Sequence, residues 1–140
     1  MLNLKKTLTL AVAASTLVVA APAIAQDTGA TIGFIGGFTG PIESLTPPIF
    51  AGAELVVSQV NEQGGILGGE LSLLSADGAC DATAAAAAAD RLINSDNVVG
   101  IVGALCTGET IGAFNGSGLS GGVVFISPAS SAPALTTLED

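Results

Sequence analysis

The sequence predicts an α/β fold, a parallel sheet with helices on both faces. Two observations carry this prediction. Short hydrophobic runs alternate along the chain with segments of helical character, in the order strand, helix, strand, helix, strand, helix, strand. The runs are continuously apolar rather than alternating, as strands buried on both faces must be. Crossovers in such a sheet are right-handed. A ligand crevice is expected at the carboxyl ends of the strands, where the strand order reverses.

The first strand is read over residues 31–36, TIGFIG, and the loop GFTGP follows. Pro47 and Pro48 suit the first turn of a helix. Ile49, Ala53, Val56, Val57 and Val60 then recur at helical spacing, and Gly64-Gly65 ends the helix. ELSLLSA, residues 70–76, is the second strand. Asp81 is placed to cap a helix over 82–94, which is rich in alanine, the best helix former. Its small side chains let it lie close against a sheet. VVGIVGAL, residues 98–105, is the third strand. The glycine-rich segment 106–121 reads as a poor helix, and GVVFI, residues 122–126, as the fourth strand.

Residues 1–25 have the layout of a secretory leader. Lys5 and Lys6 precede an apolar run over 8–21, and Ala23-Ile24-Ala25 is an A-x-A cleavage box. The apolar run is shorter than the ~20 residues a membrane span needs. Cleavage is expected after Ala25, leaving residues 26–140 as one small domain with no membrane insertion. The full chain has a net charge of −9; removing Lys5 and Lys6 leaves Arg91 against 12 acids, or −11. With no basic stripe, no Trp and no Tyr, nucleic acid is excluded as a partner.

The chain has no histidine and two cysteines, Cys80 and Cys106. Two thiols without histidine are a poor metal site. In an exported protein such a pair more often forms a disulfide. Both cysteines follow the carboxyl end of a strand, the second and the third, and so share one rim of a parallel sheet. A bridge would close a loop of about 27 residues, for roughly 3.5 kcal/mol in the loop-entropy treatment. Asp77 and Asp81 lie in one loop, where acid pairs are usually solvated or capping. Glu109 is expected on the surface.

Four stretches resemble one family: GFTGP at 37–41, AGAELVVSQVNEQGGILGGELSLLSADGACDATAAAAAADRLI at 51–93, VVGIVGALCTGET from Val98, and VFISPASSAPALT from Val124. They resemble the periplasmic binding proteins of branched-chain amino-acid ABC transporters, the type I solute-binding proteins. The likeness covers nearly all of residues 26–140. It implies a two-lobed fold that closes on an amino acid and delivers it to a membrane permease from the periplasm. It implies a binding protein, with no enzymatic activity and no cofactor. Relatives are longer, so the chain is expected to hold most of the first half of lobe one, without the hinge or second lobe.

By the same resemblance, Thr107, the residue after the second cysteine, binds the ligand carboxylate. Ala129 offers its carbonyl to the ligand ammonium, and Ser131 contacts both ends. Leu45 stands where relatives often have an aromatic residue, and Thr46-Pro47-Pro48 departs from their glycine-containing run. Cys80 and Cys106 match the paired cysteines of the leucine-type subset. The serines at 127, 130 and 131 also have a plainer reading as loop caps. Two alternatives stay open: a receptor's sensing domain with the same fold, and an amide or urea ligand. A Rossmann-type enzyme is disfavoured, because Gly33, Gly36 and Gly37 miss the i, i+2, i+5 spacing of a dinucleotide loop. Mass spectrometry with and without reductant is expected to count no free thiol in the exported protein.

Overall fold

The computed structural model describes residues 29–138; the leader and its cleavage site lie outside them. The elements are β1 (Ala30–Gly36), α1 (Thr46–Glu62), β2 (Leu71–Asp77), α2 (Ala82–Asp90), β3 (Gly100–Val102), α3 (Thr107–Ala113), α4 (Leu119–Gly121) and β4 (Val124–Ile126). Wider π turns, Arg91–Ser95 and Phe114–Gly118, continue α2 and α3, and a 3-10 turn spans Pro133–Thr137.

The four strands form one parallel sheet in the order β2-β1-β3-β4. The chain steps from β1 to β2, then back across β1 to β3. That reversal puts α1 on one face and α2 and α3 on the other, because each crossover keeps the same hand. On the α2 side the core gathers Ile35, Ala76, Ala85, Ala89, Leu92, Ile93, Ile101 and Ala113. Ala85 and Ala89, one turn apart, are fully buried. The small side chains of α2 serve a second contact besides the sheet. A Cβ on Gly112 would run into the Ala82 carbonyl, and one on Gly116 would lie 3.2 Å from the Ala86 methyl. The two helices therefore pack nearly backbone to backbone.

On the other face, Phe34, Phe38 and Phe50 meet edge to face, with centroids 5.0–6.0 Å apart. Ile49, Ala53, Val57 and Val60 of α1 are half-buried, but Val56 is 56% exposed. Steps of four, four and three residues hold the first set on one stripe, and Val56 falls beside it. Asn61 fixes the far end of α1 to β2: its amide donates to the Leu71 carbonyl and accepts from the Leu71 N–H, at 2.9 and 2.8 Å.

The expected strand and helix order holds, with the third and fourth strands shorter. The third strand was expected over 98–105, but only Gly100–Val102 is regular. Gly103 takes φ +124°, which turns the backbone out of the sheet. Its N–H still bonds the Ile126 carbonyl at 2.9 Å. Gly122, expected in the fourth strand, instead closes α4 in the left-handed conformation. The segment 106–121 is helical almost throughout, and its π turn fits the expected poor helix.

Thr46 ties the first turn of α1 to the loop after β1. Its side chain is fully buried and its hydroxyl donates to the Gly37 carbonyl at 2.7 Å. Thr46→Val keeps the shape and strands that carbonyl. A loss of about 1–3 kcal/mol is expected, read as a lower urea midpoint at unchanged slope.

Candidate functional site

The candidate site is the rim where all four strands end. β1 runs into Gly37–Thr39, β2 into Gly78–Cys80, β3 into Gly103–Cys106 and β4 into Ser127–Ala132. Each turn is linked to a neighbour. Thr39 donates to Asp77 through its N–H at 3.2 Å and its hydroxyl at 2.6 Å. Cys80 and Cys106 form a disulfide with Cα atoms 5.4 Å apart. β1 lies between β2 and β3, so this bridge arches over its tip. The arch needs glycines. A Cβ on Gly103 would strike the Ile35 carbonyl, and one on Gly78 would strike the Glu109 carboxylate.

Glu109 was expected on the surface and is fully buried instead. One carboxylate oxygen accepts from the Cys80 N–H at 2.8 Å and the other from the Cys106 N–H at 2.9 Å. Its own N–H bonds the Cys106 sulfur, completing a capping box at the start of α3. These charge-assisted bonds are what allow a buried anion with no cation beside it. The sequence held one signal for this role. Cys106-Thr-Gly-Glu109 has the x-x-Glu spacing of a capping box, with cysteine in place of serine or threonine.

The turns after β3 and β4 are joined through the Ala104 carbonyl. It accepts from the Ser127 hydroxyl at 2.6 Å and from one of two others, Ser130 at 3.2 Å or Thr110 at 3.4 Å, since one of that pair spends its proton on the other. Ser127 also accepts from the Ser130 N–H at 2.9 Å, and Ser130 and Thr110 share a hydroxyl–hydroxyl bond at 2.7 Å. Both serines thus have the plainer structural role.

Thr107 begins α3 and is half-buried. Its hydroxyl accepts from the Ala132 N–H at 3.4 Å, which seats it against the turn that carries Ala129 and Ser131. The hydroxyl proton is left to donate elsewhere. Ala129 and Ser131 are exposed on that turn. Leu45, 59% exposed, immediately precedes α1. Its neighbour Thr46 packs at the end of β1: a Cβ on Gly36 would lie 2.9 Å from Thr46 and 3.2 Å from Leu105. Thr107 and the turn after β4 are thus brought together, and no such contact joins Leu45 to them among the described residues. Among the described residues no helix is long and apolar enough to cross a membrane.

Residues 29–138 match the periplasmic binding protein family. The chain belongs to that family. It is 34% identical over 114 residues to the Leu/Ile/Val-binding protein of Escherichia coli K12, covering 81% of this chain and 30% of that protein. A leucine-, isoleucine-, valine-, threonine- and alanine-binding protein of Pseudomonas aeruginosa is 34% identical over 106 residues, covering 76% and 28%. Among solved structures, the fold is similar to a branched-chain amino acid transporter substrate-binding protein from Streptococcus pneumoniae in complex with isoleucine. There the TM-score is 0.72 at 28% identity, covering 77% of this chain and 31% of that one. This periplasmic binding protein chain thus spans about 30% of the length of the curated relatives it matches.

Asp77 and Asp81 are accounted for by structure. Asp81 accepts from the N–H groups of Thr83 and Ala84, both at 2.9 Å, as the cap of α2. Asp77 holds the turns after β1 and β2 together, and its oxygen also accepts from the Ala79 N–H at 2.9 Å. That bond steadies Ala79 and Cys80, two non-glycine residues at φ +51° and +55°. Partial desolvation pushes the Asp77 carboxyl up. The bonds from the Thr39 hydroxyl and from the N–H groups of Ala79, Thr39 and Phe38 outweigh it, so the group titrates below its ordinary 3.8. A lowered acid stabilises the fold above its unfolded value and loses that contribution as pH falls through the folded one. Thermal melts between about pH 5 and pH 2 should therefore show a larger loss for the parent protein than for Asp77→Asn.

Proposed function

We propose that residues 26–140 form part of lobe one of an extracytoplasmic solute-binding component of an ABC transporter. The solute is an amino acid, with a branched or other aliphatic side chain favoured. The observation that carries this reading is the Thr107 hydroxyl, seated against the turn after β4 at the rim where the strand order reverses. Its free proton and the N–H groups opening α3 suit a carboxylate. The Ala129 carbonyl and Ser131 hydroxyl on the facing turn suit an ammonium. Leu45 supplies an apolar neighbour for the side chain.

The relatives add support. Several are named Leu/Ile/Val-binding proteins, others add threonine or alanine or are named for leucine alone, and one similar solved structure, from Desulfitobacterium hafniense, holds Leu at 31% identity and a TM-score of 0.66. In this reading the protein works in the periplasm after removal of residues 1–25. It hands its solute to the membrane permease and catalyses no reaction. The second lobe completes the grip, and closure presents both lobes to the permease.

Calorimetric titration of the two-lobed protein with leucine, valine, phenylalanine and urea tests the reading. Heat with leucine or valine is expected, and Thr107→Val should weaken it roughly tenfold or more. Heat with urea and with no amino acid would overturn the role given to Thr107.

A further inference from the structure

The disulfide and the carboxylate beneath it form a unit that solute binding does not explain. Glu109 is fully buried on α3 and bonds the backbone N–H of both cysteines, at 2.8 and 2.9 Å. One of its oxygens and both sulfur atoms lie within 4.8 Å of one another. Its backbone N–H is spent on the Cys106 sulfur. The neighbouring acids are engaged elsewhere: Asp81 caps α2 and Asp77 holds Thr39. Arg91, the one cation among the described residues, pairs with Asp96 at 3.4 Å. The opposing influence on the sulfurs is the N-terminus of α3.

We propose that Glu109 is a positioning residue that keeps Cys80 and Cys106 facing each other and makes their bridge resistant to small-molecule thiols. Two effects act in the same direction. The carboxylate grips both cysteine backbones whether or not the sulfurs are joined, so separated thiols stay at high effective concentration and re-close. Its charge also opposes the reduction itself. An external thiolate attacks one cysteine sulfur and forms a mixed disulfide, and the Cys80–Cys106 bond breaks. The electron pair departs on the other sulfur as a thiolate. A second external thiolate then displaces the first cysteine as a thiolate and leaves as the oxidised external disulfide; both cysteines take protons from water. Each departing thiolate forms beside a buried carboxylate, where like charge disfavours it.

The test is native-state reduction by dithiothreitol and glutathione in the parent protein, Glu109→Gln and Asp81→Ala, with titration of the reduced thiols by ultraviolet absorbance. Asp81→Ala removes a helix cap of comparable worth without touching the sulfurs. The equilibrium constant for reduction should rise roughly tenfold or more in Glu109→Gln and stay near the parent value in Asp81→Ala. The thiols of reduced Glu109→Gln should ionise at lower pH than those of the reduced parent. If Glu109→Gln does not fold, the reduced parent alone decides: its thiols should ionise at higher pH folded than in urea. An unchanged reduction constant, an equal rise in Asp81→Ala, or thiol ionisation that ignores Glu109 would overturn the proposal.

Discussion

The rim depends on the convergence of two loops over the tip of β1. β2 and β3 flank that strand, and neighbouring strands lie about 4.8 Å apart, so their ends stand roughly 10 Å from each other. The Cα atoms of Cys80 and Cys106 are nonetheless 5.4 Å apart. Gly78 and Gly103 permit this by lacking a side chain where Glu109 and the Ile35 carbonyl press in. Each loop that crosses β1 buries backbone N–H groups, and Glu109 satisfies two of them. The bridge and the carboxylate therefore solve one steric problem together.

From that arch the order spreads sideways. Asp77 ties the turn after β1 to the turn after β2, and the Ala104 carbonyl ties the turn after β3 to the turn after β4. Thr107 stands at the centre, one residue from the disulfide and in contact with the turn after β4. Four turns linked in this way hold one another in place.

The chain achieves this with few cations. The Arg91–Asp96 ion pair is exposed and contributes little. Backbone N–H groups do the work that arginine and lysine do elsewhere, for Glu109, for Asp77 and for Asp81. Such donors are neutral and fixed, so they hold an anion without raising the local positive charge.

Apolar runs, the alanine segment and paired glycines determined the strand and helix order, because local burial and propensity act over neighbouring residues. They also placed both cysteines on one rim, since every strand of a parallel sheet ends on the same side. The capping role of Asp81 was legible for the same local reason. Only the tertiary structure decided that Glu109 is buried, because its N–H partners at Cys80 and Cys106 come from separate loops. It alone decided that β3 stops at Val102, since the turn at Gly103 answers to the Ile35 carbonyl beside it. And it alone gave Ser127 and Ser130 to Ala104 and brought Thr107 to Ala132, contacts set by which strands lie side by side and not by distance along the chain.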